Sequence, residues 1–188
     1  MHSSVKFSRV FSMPNSCTFS IPPIRSFVEK YIESGNVIVD PFARDCEIGT
    51  TTNDLNPNTK AQHHMKANEF LEMLVDEGVR ADVILYDPPY SPRQISECYK
   101  ASGLQASMSD TQNARLKKSC VSQITQLLKP DGYVLSFGWN SMGMGKAFSH
   151  VEVLLVFHGG AHNDTICVAQ KKPSSLFSNQ STNALHEG

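Results

Sequence analysis

The stretch ADVILYDPPYSPRQ, residues 81–94, runs from an apolar segment directly into an aspartate, two prolines and a tyrosine. The apolar letters VILY predict a buried strand, and open α/β sheets place their ligands at the carboxyl ends of such strands. Pro88 and Pro89 have no N–H group, so this turn offers their carbonyl oxygens and the Asp87 carboxylate as acceptors. Such a cluster suits a substrate NH₂ group. The alternative is a strand that simply ends in a proline turn, with Asp87 solvated and Tyr90 packed.

Around this segment, apolar runs of strand length alternate with amphipathic stretches. This pattern is typical of an α/β domain with a mostly parallel sheet. The last two apolar runs are joined by a short glycine-containing connection, which predicts an antiparallel hairpin at a sheet edge. We predict helices within 21–35, 68–78 and 114–132, strands within 36–43, 50–55, 63–67, 82–90 and 133–139, and the hairpin within 151–171.

Two connections between predicted strands are unusually short. Only RDCEIG separates the first strand from the second, and only NPNTKAQ separates the second from the third. A helical crossover between parallel strands normally takes roughly 10 to 12 residues, so no full helix fits in either place. We therefore expect few helices on one sheet face, and we expect the protein to form a homodimer or to bind a recognition partner through that face.

Length and composition bound the possible classes of protein. The chain has 188 residues, 40% apolar residues and a formal net charge of −1, which favours one globular domain without a whole-surface attraction for nucleic acid. Five scattered cysteines lack a CxxC pair, and neither a signal peptide nor a membrane span is evident. We expect a cytoplasmic protein, in a bacterium or a phage-infected host, with a flexible N-terminus at 1–15, a catalytic domain at 16–172 and a disordered tail at 173–188.

An acidic residue follows each of three predicted strands. Asp40 follows the first strand, Asp54 follows the second and Asp87 begins DPPY. Nucleotide-binding sheets use a carboxylate in the second position to bind both ribose hydroxyls. Each aspartate alone is more often an ordinary loop residue, but the ordered set favours a functional site. Acceptors around an adenine amine would make its lone pair available for attack, and Tyr90 offers a ring for base stacking.

With these motifs the sequence resembles the S-adenosylmethionine-dependent adenine-specific DNA methyltransferases, in particular the small phage and prophage members. The resemblance covers about residues 19–171, and DPPY with the upstream DPFA is its most specific part. It implies a methyltransferase-type, Rossmann-like fold and methyl transfer to N6 of adenine in DNA. By position it assigns S-adenosylmethionine to Thr18, Phe19, Ile21, Asp40, Pro41, Phe42, Ala43, Asp54 and Leu55, and the target amine to Asp87, Pro88, Pro89 and Tyr90.

The sequence departs from the family pattern at two positions. Arg44 stands where a glycine is usual, and Lys66 stands where an acidic residue often lies near the cofactor adenine. Because no full helix follows the first turn, no strong helix N-terminus is available for the cofactor carboxylate. We predict that Arg44 or Arg25 binds this carboxylate, and that Asn68 is a weak substitute near the adenine.

Substrate contacts are predicted at Ser91, Arg93 and Trp139. Residues 91–118 carry a net charge of +3, which suits phosphate contacts or equally a solvated helix face. Trp139 either packs or stacks on a base. His158 and His162 flank a turn without an evident third ligand, so we expect no metal.

Two alternatives stay open at the level of function. DPPY-like tetrads also occur in methyltransferases that act on RNA base amines. Arg44 and Lys66 also permit a catalytically degenerate domain that binds nucleic acid or a partner without turnover. An intact DPPY tetrad argues against the second alternative.

Overall fold

A computed structural model describes residues 4–89, 92–103, 113–160 and 162–174. Helices and strands alternate along most of this part of the chain, as the hydrophobic pattern predicts. The elements are β1 (Lys6–Phe11), a 3₁₀ turn (Thr18–Ser20), α1 (Pro22–Glu29), β2 (Ile38–Asp40), β3 (Thr51–Thr52), α2 (Ala67–Asp76), β4 (Ala81–Tyr86), α3 (Pro92–Ala101), α4 (Asn113–Leu127), β5 (Leu128–Gly138), β6 (Ser149–Phe157) and β7 (Thr165–Lys171).

The described strands form one sheet in the order β1-β6-β7-β5-β4-β2-β3. Every strand pair is parallel except those of β7, which runs antiparallel to both β5 and β6. The predicted mostly parallel sheet with an antiparallel C-terminal hairpin is confirmed. The hairpin does not form the sheet edge as we predicted, because β7 lies between β5 and β6 and the N-terminal strand β1 continues the sheet beyond β6.

The prediction of a flexible N-terminus is wrong for β1. Lys6–Phe11 pairs in parallel with Glu152–Phe157, and all six of its side chains are exposed. Sequence prediction of strands relies on a buried face, and β1 has none. It is held by main-chain pairing, by an ion pair between Lys6 and Glu152 at 3.8 Å, and by the ring contact of Phe11 with Phe157 at 5.3 Å.

The two sheet faces are covered unequally, as the short connections predict. One face packs on α1, which contributes Ile24, Phe27 and Val28 to a buried core. The other face packs on α2 and α4. In the described part of the chain α1 is the single α-helix on its face. The remainder of that face is covered by the 3₁₀ turn and by the loop after β2, which packs Cys46 and Ile48 against the core.

Several predicted boundaries differ from the structure. The second strand is reduced to Thr51–Thr52, and the third to an isolated bridge between Asn53 and His63. Residues 92–101, for which we predicted no helix, form α3. The Pro-Asp-Gly segment lies within β5 rather than ending a helix, and Asp131 there has a left-handed φ of 65°. Among the described residues, no helix combines the length and apolar character needed to cross a bilayer.

Candidate active site

Three parallel strands bring the predicted acids to one edge of the sheet. β2 ends at Asp40, β3 ends just before Asn53 and Asp54, and β4 ends just before Asp87. Because β2 pairs in parallel with both β3 and β4, their carboxyl ends lie side by side. The three aspartates that follow predicted strands therefore lie at one edge of the sheet.

Asp40 is the most deeply placed of the three acids. It is fully buried, and this burial, with further contributions from the Asp87 and Asp54 carboxylates, raises its pKa to about 8 although a hydrogen bond from the Phe42 N–H acts in the opposite direction. Its Oδ1 accepts that hydrogen bond at 3.0 Å. Its Oδ2 is buried and has no hydrogen-bond partner among the described residues. A buried acceptor of this kind fits a donor or a positive charge brought in by a ligand.

Asp54 has a different role, because both of its oxygens hold the local main chain. Oδ2 accepts the Arg44 N–H at 3.1 Å, and Oδ1 accepts the Asn56 N–H at 2.8 Å. The side chain is only half-buried. Each carboxylate oxygen has a second lone pair, so Asp54 can still accept hydroxyl groups from a ligand.

Asn53 is a site residue that the sequence analysis missed. Its side chain is fully buried and makes three hydrogen bonds, with Nδ2 donating to the carbonyls of Pro41 and Met65 and Oδ1 accepting the Met65 N–H, all between 3.0 and 3.1 Å. Its main chain also binds both sides of the DPFA turn: its N–H donates to the Asp40 carbonyl and its carbonyl accepts the Ala43 N–H. Asn53 thus joins β2, β3 and the entrance to α2. An asparagine beside a predicted acid was the only sequence signal.

The turn after β2 is held in an unusual backbone conformation. Arg44, which stands where the sequence resemblance predicts a glycine, has a left-handed φ of 52°. Its Nη1 donates to the Ser16 carbonyl at 2.6 Å. This bond draws the segment before α1 against the turn. There Phe19 is buried and meets Phe137 edge-on, with 5.0 Å between the ring centroids.

The remaining predicted cofactor residues lie on both sides of this turn. Pro41 and Ala43 are buried, and Phe42 meets Tyr86 edge-on at 5.5 Å. Ile21 is buried at the start of α1, while Thr18, Leu55 and Asn68 are half-buried. The Asn68 carbonyl accepts a hydrogen bond from Gln123, which links α2 to α4.

An open cleft of about 550 Å³ lies between α1 and the loop after β2. Arg25 lines it beside Phe19, Cys46 and Ile48. The Arg25 Nε donates to Glu29 Oε1 at 2.6 Å, and both side chains are about half exposed. Arg25 and Arg44 both lie on the α1 side of the acidic edge, so the structure leaves the prediction that one of them binds a carboxylate unchanged.

On the substrate side, Asp87, Pro88 and Pro89 are half-buried at the end of β4. Burial, with a smaller contribution from the nearby Asp87 carboxylate, raises the pKa of Cys167 on β7. Tyr90 and Ser91 lie outside the described residues. Arg93 is exposed on α3 and Trp139 is 50% exposed directly after β5.

Lys66 precedes α2, and its ammonium group lies 5.8 Å from the ring centroid of Tyr99 on α3. The residue that replaces the usual acid therefore contacts the helix that follows DPPY. A cation over an aromatic face is attractive. Lys66 consequently joins the start of α2 to α3.

The two histidines do not share a site. His158 is buried, with Nδ1 2.8 Å from the Ser12 carbonyl and Nε2 3.0 Å from the Thr165 hydroxyl, so it connects the end of β1 to the hairpin. His162 is exposed. Within the described ranges no three histidine, cysteine or acidic side chains form a potential metal site.

The fold is similar to that of solved methyltransferase structures. SMU.776, a predicted methyltransferase complexed with SAH, has a TM-score of 0.56 at 12% identity, over 79% of this chain and 48% of that chain. TrmN from Thermus thermophilus has a TM-score of 0.52 at 14% identity, over 81% and 49%. A predicted methyltransferase from Escherichia coli, YhhF, has a TM-score of 0.51 at 9% identity, over 86% and 92%.

The chain spans about half the length of SMU.776 and TrmN. No family model and no curated protein sequence matches it. The structural likeness confirms the predicted methyltransferase-type α/β fold, and at these identities it shows the fold alone.

Proposed function

We propose that this protein transfers a methyl group from S-adenosylmethionine to the exocyclic amino group, N6, of adenine in DNA. The observation that carries the proposal is the acidic edge of the sheet, where the buried, unpartnered Asp40 oxygen and the half-buried Asp87-Pro88-Pro89 turn lie close together. The fold shared with solved methyltransferase structures supports it.

The residues present fit S-adenosylmethionine. When bound, this cofactor supplies an electrophilic methyl group on a positively charged sulfur. Asp40 would hold its cationic part, because a bound positive charge favours the ionised form of this buried carboxyl group, whose Oδ2 has no hydrogen-bond partner among the described residues. Asp54 would accept the ribose hydroxyls with its remaining lone pairs. Phe19 and the DPFA turn would form the walls, and Arg44 or Arg25 would bind the carboxylate.

Asp87 and the two prolines would act on the target amine. The Asp87 carboxylate and the Pro88 carbonyl accept hydrogen bonds from the NH₂ group and draw its nitrogen toward tetrahedral geometry, so that its lone pair is no longer delocalised into the ring. In the transfer a nitrogen–carbon bond forms as a sulfur–carbon bond breaks, and the amine then loses one proton to Asp87 or to water. No covalent enzyme intermediate and no strong base are required.

Two described side chains, the exposed Arg93 and the half-exposed Trp139, would meet nucleic acid beside this turn. Arg93 lies on α3, one element after DPPY, and suits a phosphate contact. Trp139 follows β5, the strand next to β4, and its side chain, half of whose surface is exposed, would stack on a base. Tyr90 and Ser91 would complete the contacts to the extruded adenine.

The direct test is methyl transfer by the purified chain. Labelled S-adenosylmethionine is supplied with double-stranded DNA, single-stranded DNA or RNA of matched sequence, and the products are digested to nucleosides and separated by mass. N6-methyladenine should form in DNA. Asp87→Ala should reduce the rate by at least about 100-fold, the range typical for removal of one preorganised polar group. Asp76→Asn, an exposed acid at the far end of α2, should leave the rate unchanged.

Each alternative gives a distinct result. Methylation of RNA and not of DNA would replace the substrate while keeping the chemistry. Cofactor binding without transfer to any nucleic acid would identify a degenerate binding domain. Failure of the wild-type chain to bind the cofactor in a calorimetric titration would refute the proposed site altogether.

A further inference from the structure

Among the described residues, no strand pairs with the outer edge of the N-terminal strand β1. It pairs with β6 on one side and ends the strand order on the other. The opposite end of the sheet is formed by the two-residue strand β3, which is followed by the bridge between Asn53 and His63. Unpaired main-chain groups along an edge strand are a template for another strand. Of the two ends, only β1 is long enough to serve as one.

The open edge also carries the main exposed apolar surface of the described residues. Phe7 is 72% exposed, Phe11 is 52% exposed and Met13 is 67% exposed. By comparison, the sheet face on which we expected self-association is buried under α1 and the loop after β2. Exposed apolar clusters on soluble proteins usually mark interaction sites. The structure thus moves the expected contact surface from the sheet face to the β1 edge.

The hydrogen-bonding direction of β1 follows from one bond at its end. The Ser12 N–H donates to the Phe157 carbonyl of β6 at 3.2 Å. Main-chain groups alternate in direction along a strand, so the N–H and C=O groups of Ser8 and Val10 also face β6. The N–H and C=O groups of Phe7, Arg9 and Phe11 consequently face away from the molecule, toward the open edge.

We propose that two copies of this chain join through β1, antiparallel and in one continuous sheet, with Ser8 on the twofold axis. In this register Phe7 lies opposite Arg9 of the second copy, and their outward main-chain groups form hydrogen-bonded pairs. Lys6 lies opposite Val10 of the second copy. Phe7 and Arg9 also have their side chains on the same sheet face, because their partners in the parallel register are Val153 and Leu155.

The positive charge of Arg9 favours this register over the adjacent antiparallel register. The adjacent register also pairs outward main-chain groups with outward main-chain groups, but it puts Arg9 on the twofold axis. Arg9 then lies directly opposite Arg9 of the second copy, and like charges in opposed positions are destabilising. With Ser8 on the axis, each guanidinium instead lies beside a Phe7 ring, which is attractive. Arg9 already makes such a contact within its own chain, 5.3 Å from the Phe157 ring centroid. The net charge of −1 adds almost no repulsion between the copies.

Analytical ultracentrifugation at chain concentrations from roughly 1 µM to about 1 mM tests the dimer. A dimer held by one short strand should dissociate within this range of concentrations. The full chain should shift from monomer to dimer. Arg9→Pro removes an outward donor from each copy and should weaken association at least about tenfold. Phe7→Ala should also weaken it, whereas Met142→Ala should not, although Met142 is equally exposed at 71%. Thermal unfolding confirms that each variant is folded.

A cysteine cross-link tests the register independently. In a background with the exposed Cys17 and Cys98 changed to serine, Ser8→Cys should form an intermolecular disulfide when glutathione disulfide is added as the oxidant. Opposed residues at a non-hydrogen-bonded pair are close enough for that bond. Lys6→Cys should cross-link at least about tenfold more slowly, because its equivalent in the second copy lies at the other end of the strand.

Other occupants of the edge give different results. A full-length chain that stays monomeric while a chain ending at residue 174 dimerises would show that the chain's own last residues cover β1, and would overturn the proposal. A chain that is monomeric in both forms up to about 1 mM would overturn it as well. Methyltransferase activity is not a readout here, so neither result bears on the proposed function.

Discussion

Replacing Asp40 by asparagine is expected to stabilise the protein at neutral pH, even though Asp40 is a proposed cofactor ligand. Asp40 is fully buried, and burial with the nearby Asp87 and Asp54 carboxylates raises its pKa from 3.8 to about 8. The unfolded chain loses this proton near pH 3.8, whereas the folded protein keeps it until about pH 8. The free energy of unfolding therefore falls as the pH rises between these two values and is constant above them.

The size of the effect follows from the width of this interval. Each pH unit contributes about 1.4 kcal/mol, so at pH 7 the carboxyl group lowers the free energy of unfolding by about 4 kcal/mol relative to a neutral group of the same shape. Asparagine keeps the acceptor that binds the Phe42 N–H at 3.0 Å. The gain should be small at pH 4 and about 4 kcal/mol at pH 7, and it should level off at about 6 kcal/mol above pH 8.

Urea unfolding of the wild type and Asp40→Asn at pH 4, 5.5, 7 and 8.5 measures this gain, and taking the difference cancels the titration of all shared groups. Asp76→Asn, a change of the same type at an exposed site, should show no such trend. A gain that does not grow with pH, or a variant less stable than the wild type at pH 7, would show that Asp40 is ionised and stabilised in the folded protein. The same variant should lose most of its affinity for S-adenosylmethionine.

Three further substitutions have expected outcomes. Asn53→Ala should lower the free energy of unfolding by about 3 kcal/mol, because it removes the hydrogen-bond partner of the partly buried Met65 N–H and of the Pro41 and Met65 carbonyls. Urea unfolding measures this, with the exposed Asn58→Ala as the control. Arg44→Gly should be more stable than Arg44→Ala by about 1 kcal/mol, since both lose the bond to Ser16 and only alanine keeps the cost of the left-handed φ of 52°; equal thermal stability of the two would contradict that strain. Glu152→Gln should destabilise the protein at pH 7 by about 2 kcal/mol, because Lys30 and Tyr31 bind the carboxylate and lower its pKa. The difference in the free energy of unfolding should shrink as the pH falls below about 4.5. A difference that is the same at pH 7 and pH 3 would refute this.

The features that the sequence predicted correctly are those that depend only on residues close together in the chain. Apolar runs locate β2 and β4, the acid after each run locates the sheet edge, and the number of residues between strands shows that two crossover helices are absent. The features it missed depend on distant partners. β1 has no buried face and exists because β6 offers it an edge. Asn53 resembles any loop asparagine until the Pro41 and Met65 main chains are brought beside it.

The missing crossover helix also determines how this site can bind an anion. In sheets of this type a helix N-terminus after the first strand presents free N–H groups to the ligand. Here four N–H groups of the turn are already bonded within it. That of Phe42 donates to Asp40, that of Ala43 to the Asn53 carbonyl, that of Arg44 to Asp54 and that of Cys46 to the Ala43 carbonyl.

Most donors of the turn are therefore unavailable to the carboxylate of the proposed cofactor, and a side chain is the better candidate ligand. Two arginines lie on the α1 side of the acidic edge. Arg44 uses Nη1 to hold the Ser16 carbonyl, so moving it would release the segment that carries Phe19. Arg25 is held by an exposed pair with Glu29 four residues along α1, a type of contact that contributes little stability. Arg25 can change partners at low cost, so we propose Arg25 as the carboxylate ligand and Arg44 as the residue that positions the wall of the site.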